Sequence, residues 1–306
     1  MPLPRGLVWL PESRLLSAES GHLSIWRFRE EGSELASDKT ISAPRTLGVI
    51  ADHLGQYATI RADGTILLPD GSILSHTSST ETVGVYLPRR NGRLLVTAGG
   101  DSKVCLWSGN ALQQELKTED ERVISLAASA DGHYLAFGCV SGSVYMVTLD
   151  PGTGAMLSSI RVGSHTSPVR ALAFFGARVA SACDCGAVQL NSIHEHSKLV
   201  SLHKGRVTAL VSRGDVLLSV GFDGTCQLWR EKKFPEIFQL GAPGLFAALS
   251  DSRAAVATAD GKIKFLEISS SLDEHEDLEM QQVRTEELPV EEEVMDETAR
   301  LLYGDF

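Results

Sequence analysis

"SVGFDGTCQLWR", residues 219–230, reads as two short strands joined by a tight turn. Val220 precedes the turn Asp223-Gly224, and Cys226, Leu228 and Trp229 follow it. An Asp-Gly pair between alternating apolar residues is a strong hairpin signal, because glycine enters the left-handed backbone region without steric cost. Nothing in a hairpin demands a tryptophan five residues after the glycine. Whether that spacing recurs decides what the stretch belongs to.

It recurs at a fixed period. Aligned on the small turn residue, the chain contains "LLSAESGHLSIW" (Gly21), "ATIRADGTILL" (Gly64), "LLVTAGGDSKVCLW" (Ser102), "YLAFGCVSGSVYMV" (Gly142), "VASACDCGAVQL" (Gly186), "LLSVGFDGTCQLW" (Gly224) and "AAVATADGKIKFL" (Gly261). Successive turns lie 43, 38, 40, 44, 38 and 37 residues apart. A further strand precedes most turns ("VISLAASADGHYLAF", "VRALAFFGARVAS"), and a more polar run follows ("ALQQELKT", "AMLSSIRV", "KLVSLHK", "EIFQL"). Seven copies of four short strands predict an all-β fold, a single seven-bladed β-propeller of four-stranded antiparallel blades over residues 1–268. A sheet with apolar residues on both faces cannot stand alone, and stacking in a closed ring covers both faces.

Position five after each turn is Trp26, Trp107 and Trp229 in three copies, and Val147, Leu266, Asn191 and Pro69 in the others. Partial Gly-His signals stand in "GSHTSPVRAL" (His165) and "LHKGRVTAL" (His203). On these residues the chain resembles the WD-repeat β-propeller family over almost 90 % of its length, although the Asp of the Trp-Asp dipeptide is replaced by Arg27, Ser108 and Arg230. The resemblance implies a buried hydrogen-bond chain of His, Ser/Thr, Asp and Trp. Repeat six matches all four positions with His203, Ser219, Asp223 and Trp229. Repeat three keeps Thr97, Asp101 and Trp107 with Ser79 where the His would fall, and repeat five keeps His165 and Ser181 with Cys185 at the Asp position.

Charge divides the chain. The formal net charge is −11, and residues 269–306 hold thirteen Asp/Glu against two Arg, so the tail accounts for all of it. A neutral body argues against a surface built for nucleic acid, which needs a Lys/Arg excess. No apolar run approaches bilayer length, and with its short apolar stretch interrupted by prolines the start is not expected to act as a secretory signal. Five cysteines without a CxxC pair read as buried free thiols of a reducing compartment, cytoplasmic or nuclear.

The fourth strand of the last blade is expected in "LEMQQVRTEEL", 278–288. Beyond it, "PVEEEVMDETARLLYGDF" reads as a short helix opening after Pro289, with Leu301, Leu302, Tyr303 and Phe306 as its apolar and aromatic residues. Two readings of the acidic tail stand: a solubilising segment or helix packed on the chain's own propeller, or a docking segment that suits a basic partner surface.

His203, Ser219 and Asp223 contain the residue types of a nucleophilic triad. A constellation that recurs with the period of the fold is structural, so no catalytic residue is expected. "HEH" at 194–196 offers two imidazoles on one strand face without a third ligand, and "TAGGDSK" lacks the spacing of a phosphate loop. The basic clusters Arg89-Arg90 and Arg230–Lys233 read as solvated faces. No cofactor or metal is expected. The resemblance implies a non-catalytic scaffold or adaptor subunit of an intracellular complex, itself monomeric and away from membranes. By alignment its top-face partner residues are Glu19, Arg170, Asp184, Thr208 and Phe222. Rival readings are a subunit of an RNA-processing assembly that contacts nucleic acid, and an enzyme with a site in the central channel.

Overall fold

The computed structural model describes residues 6–11, 14–19, 21–28, 35–52, 54–76, 82–88, 94–119, 121–231, 233–268 and 284–286. They form seven four-stranded sheets, each with its strands in chain order and every neighbouring pair antiparallel. Blade one holds β1–β4 (residues 6–43), blade two β5–β8 (46–75), blade three β9–β12 (83–117) and blade four β13–β16 (123–164). Blade five holds β17–β20 (169–202), blade six β21–β24 (207–239) and blade seven β25–β28 (244–286).

The turn residues used for the alignment all adopt the left-handed backbone conformation. Gly21, Gly64, Gly142, Gly186, Gly224 and Gly261 have φ between 76° and 92°, and Ser102, which stands where the others have glycine, has φ 61°. The Asp before the glycine has its own task. Asp63 and Asp223 each accept hydrogen bonds from the backbone N–H and the hydroxyl of the threonine two residues on, at 2.6–3.1 Å. The quoted "DGT" is thus a turn closed from both sides, by backbone freedom and by an Asx hydrogen bond.

The core is divided among the seams. Seven apolar clusters of described residues coincide with the seven seams between neighbouring blades. Between blades three and four, for example, Val96, Val104 and Leu106 meet Leu135, Phe137 and Val147. The outer strand of a blade has no sheet beyond it. Correspondingly, β16 (Met156–Ser164) is exposed at most positions.

The innermost strands touch their neighbours all round, and β25 (Gly244–Leu249) touches β1 (Gly6–Leu10), which closes the ring. Among the described strands, none is exchanged at closure. Blade seven takes as its fourth strand β28 (Arg284–Glu286), which pairs with β27 (Ile263–Glu267) and lies inside the 278–288 segment singled out in the sequence. Among the described residues, blades one and seven meet by packing, with Leu7, Leu15 and Trp26 against Ala248, Ala255, Ala257 and Phe265.

Candidate functional site: polar chains beneath the blade turns

Three buried polar chains lie under the turns, and blade three has the most complete one. The Trp107 indole N–H donates to Thr97 Oγ1 at 2.8 Å, and Thr97 Oγ1 lies 3.0 Å from His76 Nδ1. His76 Nε2 in turn lies 3.1 Å from Asp101 Oδ1. An ionised carboxylate only accepts, so Nε2 carries the hydrogen and the Thr97 hydroxyl donates to Nδ1, assigning every donor along the line. The histidine is His76 and not a residue at position 79, which lies outside the described residues. His76 stands seven residues before its blade's first strand, whereas His165 and His203 stand four before theirs.

In blade six, His203 Nε2 lies 2.9 Å from Ser219 Oγ, and His203 Nδ1 lies 3.3 Å from Asp223 Oδ1. This is the connectivity of a Ser-His-Asp triad, but the Ser219 side chain is fully buried and has no access to a substrate. Trp229 stands apart from this chain. Its indole nitrogen is buried without a hydrogen-bond partner among the described residues. Burial lowers the pKa of His203 against the opposing influence of Asp223. The Asp223 carboxyl is held below its usual range although burial alone would raise it, because the Thr225 hydroxyl and the Lys204 and Thr225 N–H groups bond it.

Blade five keeps the chain with other residues. His165 Nε2 lies 2.7 Å from Ser181 Oγ, and Asn191, at the tryptophan position, donates from Nδ2 to Ser181 Oγ at 2.7 Å and to the Val179 carbonyl at 3.1 Å. Cys185, at the Asp position, is joined to Cys183 in a disulfide, where the sequence reading had all five cysteines free. Cys105, Cys139 and Cys226 are free and buried, and burial pushes the thiols of Cys105 and Cys226 up to about 11 and about 12. In blade one the described residues keep the indole bond, from Trp26 to Ser17 Oγ at 2.9 Å.

Blade four carries a network that the sequence reading missed. Glu121 accepts from Ser141 Oγ at 3.0 Å, Ser143 Oγ at 3.2 Å and Tyr145 Oη at 3.3 Å. Burial works to raise the Glu121 pKa, but these hydroxyls, with Cys139, hold it below its usual range. A carboxylate three residues after Thr118 matches no WD-repeat signal, and the Ser-x-Ser-x-Tyr spacing on alternate positions was its one trace.

Four of the five aligned top-face residues have partners within the propeller. Arg170 and Asp184 form a two-pronged ion pair with N···O distances of 3.0–3.2 Å. The guanidinium of Arg206 lies 4.3 Å from the centroid of the Phe222 ring. Thr208 Oγ1 donates to the Gly244 carbonyl at 2.8 Å and so ties blade six to blade seven. Glu19 ends β2 (Arg14–Glu19) beside the first hairpin. Leu301, Leu302, Tyr303 and Phe306, and the helix expected after Pro289, lie outside the described residues.

At the opposite ends of the strands, blades five and six leave a cleft of about 280 Å³ lined by Phe175, Leu190, Leu217 and Trp229, with Arg178, Lys198 and Arg230 among its charged residues. The His194–His196 stretch is exposed, and no group of three or more His, Cys, Asp or Glu among the described residues is placed to hold a metal. No helix among them is long and apolar enough to cross a membrane.

A closed ring of seven four-stranded blades, with His-hydroxyl-carboxylate chains beneath its turns, defines the chain as a propeller of repeat type. Residues 193–230 match the WD domain, G-beta repeat family, and this match together with the seven-bladed ring supports a WD-repeat propeller. The matched stretch runs from before β20 (Lys198–Leu202), the outer strand of blade five, to the end of β23 (Thr225–Arg230) in blade six. The sequence repeat is thus offset from the blade by one strand, and His203, between the two blades, reaches forward to Ser219. No curated protein matches the chain. WD-repeat propellers generally act as protein-interaction scaffolds and are typically non-catalytic.

Proposed function

We propose that this propeller is a non-catalytic scaffold or adaptor subunit of a multiprotein assembly in the cytoplasm or nucleus, holding other proteins on its faces and rim. The observation that carries the reading is how the side chains are spent. The buried histidines, with their Ser, Thr and Asp partners, are spent in the chains that support blades three, five and six, while large apolar groups face solvent on blades four to six. Leu157 and Ile160 are exposed on β16, Leu199 and Leu202 on β20, and Ile237 on β24 (Glu236–Gln239). Phe234, in the loop before β24, is 96 % exposed. Clusters of exposed apolar side chains mark protein-binding surface more than solvated surface. The acidic tail adds a second point of attachment, suited to a basic surface. Quantitative affinity purification of the full chain, of Phe234→Ala with Leu199→Asp, and of a chain ending at residue 288 tests this. A defined set of partners should fall at least about tenfold in one variant, a loss of roughly 1.4 kcal/mol. An identical partner list for all three would overturn the reading.

A further inference from the structure

In blades three and six the residue two before the turn Asp is glycine: Gly99 before Asp101, Gly221 before Asp223. A Cβ at Gly221 would fall onto the Asp223 carboxylate and the His203 ring. The space beside the imidazole therefore belongs to the acid, and the glycine keeps it open. Blade five breaks both halves of this arrangement together, with Cys183 at the glycine position and Cys185 at the Asp position. The two sulfurs are bonded to each other, Cys183 fully buried and Cys185 exposed at the turn. His165 turns Nε2 to Ser181 as His203 turns Nε2 to Ser219, so its Nδ1 faces the turn, and this buried nitrogen has no hydrogen-bond partner among the described residues.

We propose that Cys183–Cys185 is a reversible thiol–disulfide exchange site whose substrate is an external dithiol of the thioredoxin class. The accessible sulfur is Cys185 Sγ. A thiolate of the reductant attacks it, the Cys183–Cys185 bond breaks, and the electron pair leaves on Cys183 Sγ, which takes a proton. The second thiol of the reductant, as thiolate, then displaces Cys185 from the mixed disulfide. Two electrons and two protons pass to the protein and the reductant leaves as its own disulfide. Oxidised, the sulfurs give His165 Nδ1 little to bond. Reduced, residues 183 and 185 carry thiols, with Cys185 at the turn position that Asp223 holds in blade six. Asp184, between the two cysteines, carries the ion pair to Arg170, so exchange at this turn acts on the top-face residues Arg170 and Asp184. This chemistry does not depend on the scaffold reading.

The test is alkylation of the full chain with N-ethylmaleimide in denaturant, followed by mass spectrometry. After equilibration in oxidised glutathione, three groups should add, at Cys105, Cys139 and Cys226. Brief treatment of the native protein with a thioredoxin-type dithiol should raise this to five, both new groups lying in the tryptic peptide 179–198. Return to oxidised glutathione should restore three. Hydrogen exchange at residues 183–186 should quicken on reduction of the wild type and not respond in Cys183→Ser/Cys185→Ser. Five groups before reduction, or a bond that yields only after unfolding, would overturn the proposal.

Discussion

Asn191 gives its Nδ2 hydrogen to the Ser181 hydroxyl at 2.7 Å, the bond that tryptophan makes to the central hydroxyl in blades one and three. The small amide leaves room that the indole would fill, and Gly163 of blade four closes against it: a Cβ there would overlap the Asn191 amide. Gly163→Ala should therefore destabilise the protein by about 1–3 kcal/mol, the range for an added methyl in a packed seam. Guanidinium denaturation reads this directly, and an unchanged midpoint would mean that the seam has slack.

Trp107 and Trp229 occupy the same place in different blades, yet only Trp107 has an acceptor for its indole N–H. Replacing either by Phe removes similar volume. Trp107→Phe also strips Thr97 of a buried donor, whereas Trp229→Phe deletes a group already unpaired. The first should cost about 1–2 kcal/mol more than the second. Equal losses in urea melts would show that the hydrogen bond contributes nothing net.

How much of this was legible follows from what each residue must do. The turn glycines are forced by backbone geometry, so their spacing disclosed seven blades, and Ser102 was found because its neighbours kept the pattern. Trp26 and Trp107 were legible in the same way. His76 was not, because a loop tolerates three extra residues before the strand and leaves no periodic trace. Asn191 was placed at the tryptophan position but given no role, because its donor role is chemical and not one of size. The cysteine pair shows its meaning only once Gly221 is seen to have no room for a side chain. The tail's role, which composition left open between solubiliser and docking segment, lies outside the described residues.

Six seams are crossed by the chain as it passes from one blade to the next, and the seam between blades seven and one is not. Leu15 there and Leu135 in the seam between blades three and four are both fully buried. Either substitution by Ala should cost about 2–5 kcal/mol. Their effects on local opening should differ. Native-state hydrogen exchange of Leu15→Ala should show β1 and β25 losing protection below the global unfolding energy, while Leu135→Ala lowers protection throughout. A uniform loss in both would mean that the uncrossed seam is no weaker than the rest.

Acid should weaken the ring through its buried histidines. Burial holds His165 at about 4, against 6.5 for an exposed imidazole, and lowers His203 in the same direction. Between those two values the unfolded chain binds a proton at residue 165 that the folded chain refuses, so stability rises with pH across this window and is lost as pH falls through it. The full loss from His165 approaches about 3 kcal/mol at pH 4, since each pH unit is worth about 1.4 kcal/mol. His165→Asn retains a polar side chain near Ser181 and removes the titration. Its stability profile between pH 6.5 and 4 should be flatter than the wild type's by that amount, measured by denaturant midpoint at matched ionic strength. Parallel profiles would place the acid sensitivity elsewhere.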